Sequence, residues 1–435
     1  MATEEKPGAA PKIRSHPSRN SSHSPRVFFR FAKWYSGLYR FINTIYFKRI
    51  SLLNSDRLPG SGPVLFLGLH RNGAVDGFVY HYLLHGPVFM ISTQLRKNIL
   101  AKLFFNGIEV SRTKDKGNRS FNDATLHRCL DFLQRGGALF IFPEGTSSLG
   151  PRHLPFKNGA AWLLLHYLES GGPSLQVVPI GIHYSCPEAF QSKVEVVVGR
   201  NISTALPDEG SRLERLRILK RRVHAAMEEV GINVSSEEYR ALIRRFASVA
   251  TMSTKRSYFR SLKAMERAIP EPILQKWSSL TRDLAGMKLW SHQGLPLFPM
   301  NSILLSALAL IVTGVLVSLA VVVNLPAVTA GWLAGKKLPD DRNVISLWKI
   351  LVGVPCFALW IAILLVTLIS LGKFFWLAAY AAVTWLGLKC YSSFRKTCVA
   401  VHNTLRHPAL RPRVIEFFDT VLQSIPDETP APRQE

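Results

Sequence analysis

The chain has 435 residues, and 54 Lys+Arg against 29 Asp+Glu give it a net charge of +25. An excess of this size points to polyanionic partners: nucleic acid, anionic lipid or phosphorylated substrates. Positive mean hydropathy and long apolar runs late in the chain favour anionic membrane lipid and exclude nucleic acid from the expected partners. The five cysteines (Cys129, Cys186, Cys356, Cys390 and Cys398) form no CxxC pair and no metal-ligand spacing, as in a reducing compartment.

Residues 1–25 are rich in Pro, Ser, Ala and charge and lack the apolar core of a signal peptide, so they read as a disordered tail. From Val27 to Ile50 aromatic and basic residues interleave, among them Trp34, Tyr35, Tyr39, Lys33, Arg40 and Lys48. That pattern predicts an interfacial amphipathic helix within the first 26–205 unit. A surface helix capping a soluble core has the same pattern.

Residues 60–200 alternate short apolar runs (Val64–Leu69, Ala138–Phe142, Leu175–Ile182, Val194–Val198) with helical patterns such as Ala124–Gln134 and Ala160–Leu168. The alternation predicts an α/β fold with a largely parallel sheet flanked by helices. Residues 206–300 read as a separate basic helical region, densest at Arg215–Arg222, whose charged face would rest on anionic lipid. Residues 301–390 read as a transmembrane region. Ile303–Leu325 and Leu351–Leu371 are long enough to cross about 30 Å of hydrocarbon, and Phe374–Leu388 is a shorter third candidate. Basic residues lie in both connecting loops and after the last segment, so their orientation stays open. Residues 391–435 read as a C-terminal tail.

Three groups of residues carry chemistry. His70 runs out of the Val64–Leu69 strand, with Asp76 shortly after it. A carboxylate that holds one ring nitrogen leaves the other free to take a proton from a hydroxyl. Phe142-Pro143-Glu144-Gly145-Thr146-Ser147 closes a second strand, and its turn offers backbone N–H groups and two hydroxyls to a phosphate or an oxyanion. Arg112 and Lys157 lie near strand ends, where each could pair with a phosphate.

In order, and joined by Val178-Pro179-Ile180-Gly181, these segments resemble the four blocks of the glycerolipid (PlsC-like) acyltransferase superfamily, over about residues 40–205. That superfamily includes the glycerol-3-phosphate and lysophosphatidate acyltransferases. Its blocks read H-x4-D, G-x-I-x-V-x-R, F-P-E-G and V-P-[IV]-G. Here they correspond to His70 with Asp76, Gly107-Ile108 through Val110 to Arg112, Phe142–Gly145, and Val178–Gly181. The chain departs from the pattern in three places. Five residues separate His70 from Asp76, the second block is one residue tighter, and Ser147 stands where an Arg is usual. The longer first spacing and Leu154-Pro-Phe-Lys157-Asn-Gly159 look like the fungal-type glycerol-3-phosphate/dihydroxyacetone-phosphate branch, and a weaker likeness continues at Asp341–Ile350.

The resemblance implies a one-step O-acyl transfer without a metal or a resident cofactor, with acyl-CoA or acyl-ACP as co-substrate. His70 and Asp76 would be catalytic, and Arg112, Glu144, Gly145, Thr146, Ser147 and Lys157 would bind substrate. The acceptor would be glycerol-3-phosphate or dihydroxyacetone phosphate, with a lysophospholipid as the alternative. An integral protein of a bacterial inner membrane or an endoplasmic reticulum, its site facing the cytoplasm, is expected. A serine esterase lacks its G-x-S-x-G elbow here. A lipid-binding scaffold is the non-enzymatic alternative.

Overall fold

The computed structural model describes residues 25–84, 86–93, 99–110, 119–252, 255–300 and 302–426. Helix α1 (Pro25–Tyr46) leads directly into strand β1 (Phe47–Leu53). The sheet continues with β2 (Val64–Gly68), β3 (Val88–Ser92), β4 (Gly107–Val110), β5 (Ala138–Ile141), β6 (Gln176–Tyr184) and β7 (Ser192–Val198). Between the strands run α2 (Val75–Leu83), α3 (Ile99–Phe104), α4 (Arg119–Gln134) and α5 (Gly159–Glu169). The strand order is β1-β7-β6-β2-β5-β3-β4, and every pairing is parallel except β6 with β7. The expected α/β class with a largely parallel sheet is therefore present. The central strand β2 is buried along its whole length, as expected of a strand covered by helices on both faces.

The N-terminal helix packs one face on the core. Ile42, Asn43 and Tyr46 are buried, α1 packs on α2, and Asn43 Nδ2 donates to the Phe78 carbonyl at 2.8 Å. Trp34 and Phe41 remain exposed, so the described part of the helix fits the core-capping alternative, with one apolar edge left outside.

Residues 206–300 are not a separate region. They form α6 (Arg212–Glu229), α7 (Glu237–Ala250), α8 (Tyr258–Ala264), α9 (Glu271–Leu284) and a short hairpin of β8 (Ser291–His292) and β9 (Leu295–Pro296). Leu216, Leu219, Val223 and Met227 place one stripe of α6 in the same core as the sheet. The basic run at 215–222 is the outer face of that helix.

His183 on β6 is buried against Phe259 of α8, and its Nε2 lies 2.9 Å from the Val230 carbonyl. Burial depresses its pKa to about 3, against about 6.5 in an unfolded chain. Between those values the unfolded chain takes up a proton that the folded one refuses. Stability is therefore complete above pH 6.5 and falls as the pH drops towards 3. At pH 5 this single group costs about 2 kcal/mol. Thermal melts at pH 7.5 and 5 should show a drop in midpoint that is smaller in His183→Gln, whose amide can still donate to Val230. An equal drop in both proteins would remove His183 as its source.

Beyond residue 302 come α10 (Ile303–Val323), α11 (Leu325–Lys337), α12 (Ile345–Ser370), α13 (Phe374–Arg406) and α14 (Arg411–Ser424). Two helical segments, Ile303–Val323 and Arg342–Ser370, are long and apolar enough to cross a membrane, and they turn large side chains such as Leu304, Ile311, Leu359 and Val366 outward. The third candidate, Phe374–Leu388, is the first half of the much longer α13. The four helices pack in pairs, α10 on α13 and α11 on α12. Close approach in the first pair needs Gly387, where a Cβ would fall 2.2 Å from Ala320 Cβ.

The expected tail at 391–435 is folded over its described part, 391–426, and 427–435 lie outside the described residues. Residues 391–406 continue α13, and α14 buries Val414, Phe417, Phe418 and Val421. Phe417 meets Phe246 of α7 and Trp277 of α9 with ring centroids 5.7 and 5.4 Å apart. The 0, 3, 4, 7 spacing of those four residues is a helix signal that the charged and proline-containing surroundings conceal.

Candidate active site

The site forms at the carboxyl ends of β2 and β5, where parallel sheets open towards solvent. His70 leaves β2 after Leu69 and is partly exposed, its ring stacked on Phe142 with centroids 4.0 Å apart. His70 Nδ1 lies 3.0 Å from Asp76 Oδ2. Asp76, in the first turn of α2, is 0% exposed. Its Oδ2 also accepts from the backbone N–H groups of Arg71 (2.7 Å) and Asn72 (2.9 Å), and its Oδ1 accepts from the Tyr184 hydroxyl (2.7 Å).

Four donors converge on this buried carboxylate: His70 Nδ1, the Arg71 and Asn72 N–H groups and the Tyr184 hydroxyl. The carboxylate directs the Nδ1 proton of His70 towards itself and leaves Nε2 as the basic nitrogen. The five-residue spacing is no obstacle. Residues 71 and 72 fold their amides around the carboxylate, and Gly73 makes the turn with φ +54°, backed by the Asn343 carbonyl 3.0 Å from where its Cβ would be.

Glu144 is 1% exposed, and both its oxygens serve backbone donors: His70 N–H at 2.9 Å and Leu154 N–H at 3.1 Å. Burial raises its pKa, and the two backbone bonds oppose that rise. It ties the His70 loop to the Leu154–Lys157 segment. Gly145 adopts φ +68°, and a Cβ there would lie 2.7 Å from Lys157 Nζ, so the glycine lets the lysine cross the turn closely. Lys157 is exposed and its N–H donates to the Pro143 carbonyl at 2.8 Å. Thr146 and Ser147 follow, both partly exposed. The turn is joined to His70, whose carbonyl accepts from the Ser148 N–H at 3.0 Å. Arg112 lies outside the described residues. Among the described residues no group of three or more His, Cys, Asp or Glu could hold a metal ion.

Two contributors were not singled out in the sequence. Tyr184, 108 residues from Asp76 in the chain, closes the carboxylate's shell; it comes from the end of β6, beside β2. Asn343, just before α12, donates through Nδ2 to the Ser147 carbonyl (2.9 Å) and hydroxyl (3.0 Å). Its segment is fixed further by Ser346 Oγ and Lys349 Nζ, which donate to the carbonyls of Pro187 and Glu188, and by an ion pair of Arg342 with Glu188. Ser147 is therefore occupied by a helix connection from the far end of the chain. The likeness noted at Asp341–Ile350 was the one available signal for this contact.

Residues 38–183 match the model of the Acyltransferase family, and His70, Asp76, Glu144, Gly145, Thr146, Ser147 and Lys157 fall within them. This part of the chain is similar to acyltransferase domains. An uncharacterized acyltransferase of Schizosaccharomyces pombe is 26% identical over 117 residues, which is 26% of this chain and 17% of the fungal protein's length. The crystal structure of the 1-acyl-sn-glycerophosphate (LPA) acyltransferase PlsC from Thermotoga maritima is similar at 18% identity and a TM-score of 0.33, covering 47% of this chain and 83% of that one.

Proposed function

We propose that this chain is a membrane-embedded enzyme that transfers a fatty acyl group from an acyl thioester, acyl-CoA or acyl-ACP, to a hydroxyl of glycerol-3-phosphate or dihydroxyacetone phosphate. The observation that carries the reading is the 3.0 Å contact of His70 Nδ1 with the buried Asp76 carboxylate, on a histidine that stays partly exposed. His70 Nε2 takes the proton of the acceptor hydroxyl as its oxygen attacks the thioester carbonyl. Asp76 stabilises the imidazolium, and the proton passes to the departing thiolate as the tetrahedral intermediate collapses. Lys157 and the Gly145–Thr146 turn supply charge and donors for the acceptor's phosphate.

The H-x5-D spacing and the Leu154–Gly159 segment favour the small glycerol phosphate acceptors over a lysophospholipid. The purified full chain, given radiolabelled acyl-CoA and each acceptor in turn, should acylate glycerol-3-phosphate or dihydroxyacetone phosphate faster than lysophosphatidate. Faster acylation of lysophosphatidate would move the chain to the second acylation step. Transfer to none of them would end the glycerophosphate reading.

A further inference from the structure

A second cavity opens at the same end of the sheet as the active site but to one side of it. Its lining includes Lys48 at the start of β1, Lys193 on β7, His292 on β8, and Arg395 and Lys396 on α13. The parallel pairing of β2 with β6 and the antiparallel pairing of β6 with β7 bring the end of β6 and the starts of β7 and β1 to the edge where His70 emerges. Two to three strand spacings separate the cavity from His70, roughly 10–15 Å. The cations come from opposite ends of the chain, Lys48 donating to Ser392 Oγ of α13 at 2.8 Å.

A cluster of basic residues is usually a solvated face. Here, however, Lys193 and Lys396 are half-buried, and no Asp or Glu lines the cavity among the described residues. Glu195, two residues from Lys193 on β7, is engaged by Ser257 Oγ and the Phe259 N–H, each at 2.8 Å. Burial pulls the lysine pKa values down, that of Lys396 to about 8, and the neighbouring cations Lys193 and Lys48 add to the effect there. The hydroxyls of Ser185, Ser192 and Ser392 give the same cavity neutral donors. Converging cations and hydroxyls with no carboxylate between them make the surroundings of a bound phosphate.

The cavity also sits where α13 changes character. The apolar stretch Phe374–Leu388 ends just before it, with Lys389 over the Trp385 ring at 4.3 Å, as at a membrane–water boundary. We propose that this cavity is a phosphate-binding site, separate from the His70 centre, for a phosphate group carried on an amphiphile. Two sources carry that chemistry to this place: the headgroup of an anionic lipid, and the 3′-phosphorylated nucleotide of a CoA thioester whose acyl end reaches His70. The second source rests on the acyl-transfer reading above; the first does not.

The test uses the detergent-solubilised full chain carrying His70→Ala, so that binding is read without turnover and does not depend on the reaction proposed. Calorimetric titration with CoA, dephospho-CoA, and micelles containing short-chain phosphatidylglycerol or phosphatidylcholine compares this protein with the same chain carrying Lys193→Gln and Lys396→Gln. The charge-removing pair should weaken at least one phosphate carrier about tenfold or more, and Lys193→Arg with Lys396→Arg should keep its affinity. A loss confined to CoA, with dephospho-CoA already weak, assigns the site to the acyl donor. A loss confined to phosphatidylglycerol assigns it to lipid, and a loss for both means that the site accepts either. Equal affinity of the Gln variant for every ligand, or no binding of any ligand by the chain with both lysines, overturns the site.

Discussion

His70→Ala removes acyl transfer, lowering the rate by roughly 10²- to 10⁴-fold, the range a positioned general base contributes. The fold survives the change. Asp76 keeps its three other donors, from Arg71, Asn72 and Tyr184, so no buried charge is left bare. The ring is partly exposed, and its loss opens no sealed cavity. The variant should therefore sediment with membranes and melt close to the parent while its rate with saturating acyl-CoA collapses. A scaffold protein has no transfer activity to lose. Retention of more than about a tenth of the rate would place the base on another residue.

Asp76 separates two roles that His70 cannot. In Asp76→Asn the amide oxygen can still face the three donors that Oδ2 accepts, and the Tyr184 hydroxyl can turn to accept from the new NH2. Shape is kept and charge is lost. The rate should fall about 10²-fold or more, because the imidazolium formed during transfer has no counter-charge. In Asp76→Ala the two backbone amides and the buried tyrosine hydroxyl lose their acceptor together. Removing one side of such a buried charged network costs about 3–5 kcal/mol, enough to unfold a domain of ordinary stability at modest temperature. The check is a pair of measurements on each variant, a thermal midpoint and a single-turnover rate. Full activity in a folded Asp76→Asn protein would show that the carboxylate is structural.

The sequence made the sheet and the base–carboxylate pair readable because each is local. Val64–Leu69 announces a buried strand by its apolar run, and His70 with Asp76 lies within one turn of its end. The edges were harder. β1 carries Lys48 and Arg49, and β4 carries Glu109, charges that break the apolar run of a buried strand. The N-terminal aromatic and basic pattern fits a lipid surface and a protein core equally well; only the burial of Ile42 and Asn43 separates them. Site residues supplied across the fold were invisible for a plainer reason. Tyr184 and Asn343 are ordinary residue types, and what makes them part of the site is a neighbour 108 or 196 residues away. Glu144 was legible as a site residue, but its use was not, because a carboxylate gripping two backbone amides has the same letters as one facing a substrate.

The clasp of Asn343 on Ser147 also sets an order of events during synthesis. The turn beside His70 is translated early, yet the side chain that holds it emerges almost two hundred residues later, flanked by apolar helices. A nascent chain stalled before that point has its base and carboxylate in hand but lacks the hand that steadies the turn.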